Sequence, residues 1–164
     1  NNSNSFIPST DPRYPVKIEI KLLSVVANTG SGGIDKEGNI GSPASIKELA
    51  WYKDSSSPID AGGTSIIVGH AGSPTYPGVL STVSKVKIGS DIKVTMGDGK
   101  ILLYKVISTE EVPVDEVEMS KYFKQPGQTE RLMNFITCSG AYNDKTYSYA
   151  NRLIVTAKVV ENTP

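Results

Sequence analysis

Alternation of apolar and polar residues with period two constrains this chain more than any other feature. Val16, Ile18, Ile20 and Leu22 alternate, as do Ile92, Val94 and Met96; Leu102, Tyr104 and Val106; and Leu153, Val155, Ala157 and Val159. Successive strand side chains point to opposite faces, so such runs mark half-buried strands. Helical periodicity is scarce. The pattern predicts a strand over 15–27 and a short buried one at Ile66-Ile67-Val68, ending at Gly69-His70. It predicts a pair joined by the turn Gly97-Asp98-Gly99, then Leu132 to Cys138, and a last strand over 153–159. The glycine-rich stretch 28–43 and the segments 71–79 and 139–151 read as loops. Ser45, with Glu48 three residues on, has the pattern of a capped helical turn over 45–52. Further helical turns are expected over 80–86 and near 115–123. Seven or eight short strands with long connections make an all-β protein, a closed barrel or a sandwich.

A length of 164 residues suits one domain with a sizeable core, and the apolar content of 38% is ordinary. The formal net charge is zero, which gives no footprint for nucleic acid or an anionic membrane. No apolar run is long enough to span a bilayer, and no signal-peptide pattern opens the chain. Residues 1–14 are polar and rich in Ser and Pro. They read as a linker or N-terminal extension to a domain over 15–161, and the chain as a soluble piece of a longer protein.

The chain has one Cys, one His and three Arg: Arg13, Arg131 and Arg152. Cysteine–histidine chemistry must therefore use Cys138 and His70. Each is placed at the carboxyl end of an expected strand, where a rigid element presents a side chain to a cleft. A thiolate is a nucleophile, and an imidazole beside it can stabilise it or protonate a leaving amine. A guanidinium stays charged and offers several donors to an oxygen that gains charge in acyl transfer. Taken singly, each residue has a plainer reading: a loop histidine, a small buried thiol, a surface ion-pair partner.

Their joint context resembles the sortase family. Ile136-Thr137-Cys138 resembles the end of the Thr-Leu-x-Thr-Cys signature, with Asn134-Phe135 where the signature has Thr-Leu. Arg152-Leu153-Ile154-Val155 resembles the Arg-led final strand. Ile66-Ile67-Val68-Gly69-His70 resembles the strand that delivers the sortase histidine. Trp51-Tyr52, Ser55, Pro58 and Gly62 resemble a Trp-Tyr-x-x-Ser-x-x-Pro segment of class F and related sortases. The order His, Cys, Arg matches, and the similarity covers about residues 15–160.

The resemblance implies a closed eight-stranded sortase-type β-barrel with one or two short helices. It implies an extracellular cysteine transpeptidase that cleaves a sorting signal similar to Leu-Pro-x-Thr-Gly through a Cys thioester. The acyl part then passes to an amine on a cell-wall precursor or a pilin. Cys138 would be the nucleophile, His70 the general acid/base and Arg152 the oxyanion or substrate clamp. Thr137, Val112, Pro113 and Val114 would line the substrate groove. Sorting-signal-bearing surface proteins of a Gram-positive cell, and the amine acceptor, are the implied partners. The implied location is the outer side of the plasma membrane, held by an anchor outside this chain. No cofactor is expected. Glu110, Glu111, Asp115, Glu116 and Glu118 form an acidic run; some sortases bind calcium near this loop, but a solvated acidic loop is the favoured reading. Two other functions use the same features: a cysteine hydrolase that releases the acyl group to water, and a non-enzymatic cell-surface binding module.

Overall fold

The computed structural model describes residues 8–32, 36, 41–43 and 45–161. Parts of the expected N-terminal extension and of the 28–43 loop therefore lie outside the described residues. Eight strands follow in order: β1 Pro15–Ile20, β2 Val25–Gly32, β3 Leu49–Tyr52, β4 Gly63–Gly69, β5 Asp91–Met96, β6 Ile101–Pro113, β7 Arg131–Asn143 and β8 Ser148–Val159. They close into a barrel in the order β1-β2-β3-β4-β7-β8-β6-β5, with β5 pairing back onto β1. The β2–β3 and β4–β7 pairs are parallel and the others antiparallel. Closure pairs each strand with a neighbour on both sides over the body of the barrel.

Three local expectations are corrected. The apolar stretch 15–27 is two strands rather than one. A 3-10 turn at Lys21–Leu23 and Ser24, in the left-handed region at φ 53°, reverse the chain between them. The segment 45–52 is not helical. Ser45 takes a bend, with its hydroxyl accepting from the Lys47 amide at 3.1 Å, and 49–52 then runs as β3, buried at every position. Trp51 and Tyr52 are buried on opposite faces, which a half-exposed helical turn would not allow. The segment 139–151 is not a loop, since β7 and β8 continue through it as a long hairpin. The remaining helical content is 3-10: Val83–Lys85, Val114–Glu116 and Met119–Tyr122.

The barrel buries two layers of side chains. Inside lie Ile18, Ile20, Trp51, Ile67, Ile92, Val94, Tyr104, Met133, Phe135, Val155 and their neighbours. Each fully buried Ile, Val, Met or Phe contributes about 1.5–3 kcal/mol of transfer free energy. Outside, on the face of β3, β4, β7 and β8, a second cluster joins Tyr52, Ile66, Tyr122, Ile136 and Ile154. The β6–β7 connection covers it with Val117, Met119 and Phe123. This explains why Ile66-Ile67-Val68 is an unbroken apolar run: Ile67 packs inward, and Ile66 and Val68 pack outward.

Asn134 sits in the outer layer. Its amide nitrogen donates to the Tyr122 carbonyl at 2.9 Å, and its oxygen accepts from the Thr156 hydroxyl at 2.6 Å. It thus pins the 3-10 turn at 119–122 onto the sheet. Asn134→Ala would leave a buried carbonyl and a hydroxyl unpaired. The expected loss of stability is about 1–3 kcal/mol, read from a denaturant midpoint with the slope unchanged.

Candidate active site

Strand register assembles the site. Cys138 on β7 pairs with Arg152 on β8, and Arg152 pairs with Val112 on β6. Directly paired residues on neighbouring strands share a face. In the parallel pair, Val68 on β4 lies beside Ile136 on β7. Two residues further along both chains come His70 and Cys138. A side-chain bond locks this continuation, with the Thr137 hydroxyl donating to the Gly69 carbonyl at 2.7 Å. Asn134 and Ile136 face outward, and so by alternation does Cys138. The outward Ile154 and Ile66 give Arg152 and His70 the same parity. Three adjacent strands therefore carry the row Cys138, Arg152, Val112 on the outer face, at the end of the outer apolar layer, and His70 follows directly on β4 beside β7. His70, Cys138 and Arg152 are each half-buried.

Cys138 is neither core nor fully exposed. Among the described residues no carboxylate forms an ion pair with Arg152; its one hydrogen bond is to the neighbouring Asn151 carbonyl at 3.2 Å. The rest of its donor fork is available to a ligand.

His70 is held from two sides. Its backbone carbonyl accepts from the Leu80 amide at 3.0 Å, and the chain between closes through Gly78 N–H to Ala71 O at 2.8 Å. A Cβ on Gly78 would run into the His70 carbonyl, so this close approach requires glycine. The ring atom Nε2 lies 2.8 Å from the Pro43 carbonyl oxygen. A carbonyl only accepts, so Nε2 carries a proton in either charge state, and protons come and go at Nδ1. His70 is the only histidine, which makes this directly observable. Two-bond 1H–15N spectra above the imidazole titration should show the Nε2–H tautomer. A dominant Nδ1–H tautomer would contradict the Pro43 contact.

The other expected groove residues disperse. Val112 is half-buried against the outer layer, in the row itself. Pro113 pairs with Asn151, one step beyond it. Val114 is 46% exposed and lines a separate depression against the tip of the β7–β8 hairpin. Thr137 is buried, has its hydroxyl bonded, and faces the barrel mouth rather than the outer groove. The acidic run is dispersed too. Glu110 accepts from the Tyr122 hydroxyl at 3.2 Å, Glu111 from Ser139 and Asn151, and Glu118 pairs with Lys121 at 3.2 Å.

A pocket of ≈ 520 Å³ opens on the other side of Cys138, at the barrel mouth. The loop after His70 walls it with Ala71, Pro74 and Pro77, and Thr137, Tyr149 and Glu111 face them. Sequence reasoning missed this pocket, as it missed Pro43. Their signals lie in pairings of β6, β7 and β8 beyond the apolar runs, and in a backbone oxygen that no side chain betrays.

A family model for the sortase domain matches residues 8–160. The chain therefore belongs to the sortase family, the sortase-type cysteine transpeptidases. Solved structures with the same fold include sortase C-1 from Actinomyces oris, with 23% identity over 90% of this chain and 74% of that one, TM-score 0.68. Sortase A from Corynebacterium diphtheriae is similar at 21% identity, covering 93% of this chain and 63% of that one, TM-score 0.66. Sortase C2 of Group B Streptococcus Pilus Island 1 shares 20% identity over 88% of this chain and 73% of that one, TM-score 0.67. A search of curated proteins found no match.

Proposed function

We propose that this sortase works outside the cell, cutting a sorting signal similar to Leu-Pro-x-Thr-Gly and joining the acyl part to an amine on a cell-wall precursor or a pilin. The observation that carries this reading is the row Cys138, Arg152, Val112 on one outer face, with His70 directly after β4 at its end. An extended peptide laid along the outer apolar layer would meet Val112 and Val68 and bring its scissile carbonyl to Cys138. The Cys138 sulfur attacks as thiolate, and the carbonyl π electrons move onto oxygen, where the Arg152 guanidinium donates to the developing oxyanion. As the oxyanion collapses, the C–N bond breaks and the departing nitrogen takes a proton from the His70 imidazolium. A thioester and a free amine result. The acceptor amine then attacks the thioester carbonyl, its proton passes to the neutral imidazole, and the Cys138 thiolate leaves.

A free cysteine and imidazole titrate near ~8.5 and ~6.5, so a neutral pair is the ordinary state at pH 7. The test is intact-protein mass spectrometry after exposure to a library of sorting-signal peptides, with and without an added amine. The reading expects an acyl adduct on Cys138 that persists without amine and is discharged to an amide with it. Discharge to water at the same rate in both arms would make the chain a hydrolase. An unmodified thiol throughout would leave only a binding module.

A further inference from the structure

We infer that Glu111 is a positioning residue for the reaction: it pins the last regular β7–β8 pair and so keeps Arg152 opposite Cys138 beside a break in the ladder. This rests on the thioester reading above and adds to it what holds the oxyanion donor in register with the nucleophile. The break lies close by. Cys138 pairs with Arg152 and Ser139 with Asn151, but the next pair is Tyr142 with Tyr149. That is three steps along β7 against two along β8, so β7 carries one extra residue there. A β-bulge of this kind re-aims side chains and bends its strand. Shifted back along β7 to Cys138, it would uncouple the thiol from the guanidinium.

Glu111 holds the bulge in place from the inner face. It pairs with the inward Leu153, which pairs with Thr137, so its side chain lies on the opposite face from the Cys138 sulfur. It therefore acts through register and does not touch the substrate. Its Oε1 accepts from the Asn151 amide at 2.8 Å and the Ser139 hydroxyl at 3.0 Å. One oxygen on β6 thus ties together the facing residues of β8 and β7 just before the bulge. The bulge residue Gly140 has φ 80°, and a Cβ on it would come within 2.7 Å of the Asn151 side-chain nitrogen and 3.3 Å of Glu111 Oε1. The backbone and the clamp both require glycine there. Asn151 passes the constraint on: its backbone carbonyl accepts from the Arg152 guanidinium at 3.2 Å. The Asn151 amide first, and the Ser139 hydroxyl after it, hold the Glu111 carboxyl below the usual carboxylate range, so it accepts both bonds as an anion at neutral pH. Among the described residues Glu111 forms no ion pair that would give the carboxylate another task.

The experiment measures kcat and KM on one sorting-signal peptide, with thermal melts. The proteins are wild type, Glu111→Ala, Glu111→Gln, Arg152→Ala and the double variant Glu111→Ala/Arg152→Ala. Glu111→Ala should lower kcat about three- to tenfold, with KM within about twofold of wild type and the melt unchanged. The loss is modest because Glu111 is exposed. Glu111→Gln keeps an oxygen that can accept both bonds and should restore most of the rate. In the Arg152→Ala background, Glu111→Ala should cost less than about twofold, because the group it positions is gone. A merely structural role predicts equal losses in both backgrounds, in step with the melt. Wild-type kcat in Glu111→Ala, additive losses, a Gln variant as slow as Ala, or a near-normal Arg152→Ala would each overturn the inference. Absence of the acyl adduct in wild type would instead refute the thioester reading itself.

Discussion

Cys138→Ala should abolish peptide transfer, with a loss of about 10⁴-fold or more in kcat/KM, because the covalent route has no substitute nucleophile. The chain has no second cysteine to take its place. The fold should survive. Cys138 is half-buried at the edge of the outer layer, and a small side chain there costs at most about 1 kcal/mol. The measurement pairs product formation on one peptide with a thermal melt and an intact mass. The mass should show no acyl adduct. A variant that still transfers at an appreciable rate would mean that Cys138 is not the nucleophile.

Arg152 allows a sharper separation of roles. If the guanidinium donates to the oxyanion or a substrate carbonyl, Arg152→Lys keeps the charge but loses the planar fork. Loss of one such donor costs about 10²–10³ in kcat, roughly 3–4 kcal/mol. Both Lys and Ala should then lose most of the rate. If Arg152 acts only by favouring the thiolate, Lys should recover much of what Ala loses. Stability should barely change in either, since no ion pair to a described carboxylate is broken. The comparison needs kcat/KM for the three proteins, with melts as the folding control. A near-normal alanine variant would remove Arg152 from the site.

The barrel was legible wherever a strand keeps one face wet. Ile92 to Met96 and Leu102 to Val106 alternate because their outer faces are solvated, and both strands form as the pattern predicts. Leu49–Tyr52 gave no such signal. Both its faces are buried, and Ser45 with Glu48 mimicked a helix start. The β7–β8 hairpin beyond Cys138 failed for the opposite reason. It projects past the core, so Ser139–Asn143 and Ser148–Asn151 lack an aliphatic alternation and read as loop. The row His70, Cys138, Arg152 was legible as residue types in order, because each ends or begins an apolar run. Glu111 was visible only as one acid among several. Its place opposite Ser139 and Asn151 depends on how β6, β8 and β7 are registered, and that is written in hydrogen bonds rather than in side-chain pattern.

The row runs across the strands, not along any of them. Its spacing is therefore the lattice spacing of a sheet: paired Cα atoms stand about 4.5–5.5 Å apart in an antiparallel ladder, and strands repeat at about 4.8 Å. No loop sets the distance between Cys138 and Arg152, whereas His70, just past β4, is also held by the loop that follows it. A sequence change in the 114–130 connection can reshape what enters the groove while Cys138 and Arg152 keep their separation. A one-residue slip of β7 against β4 or β8 would turn Cys138 to the opposite face and dismantle the row at once. The barrel acts as a ruler for the chemistry, and its walls are where specificity is free to drift.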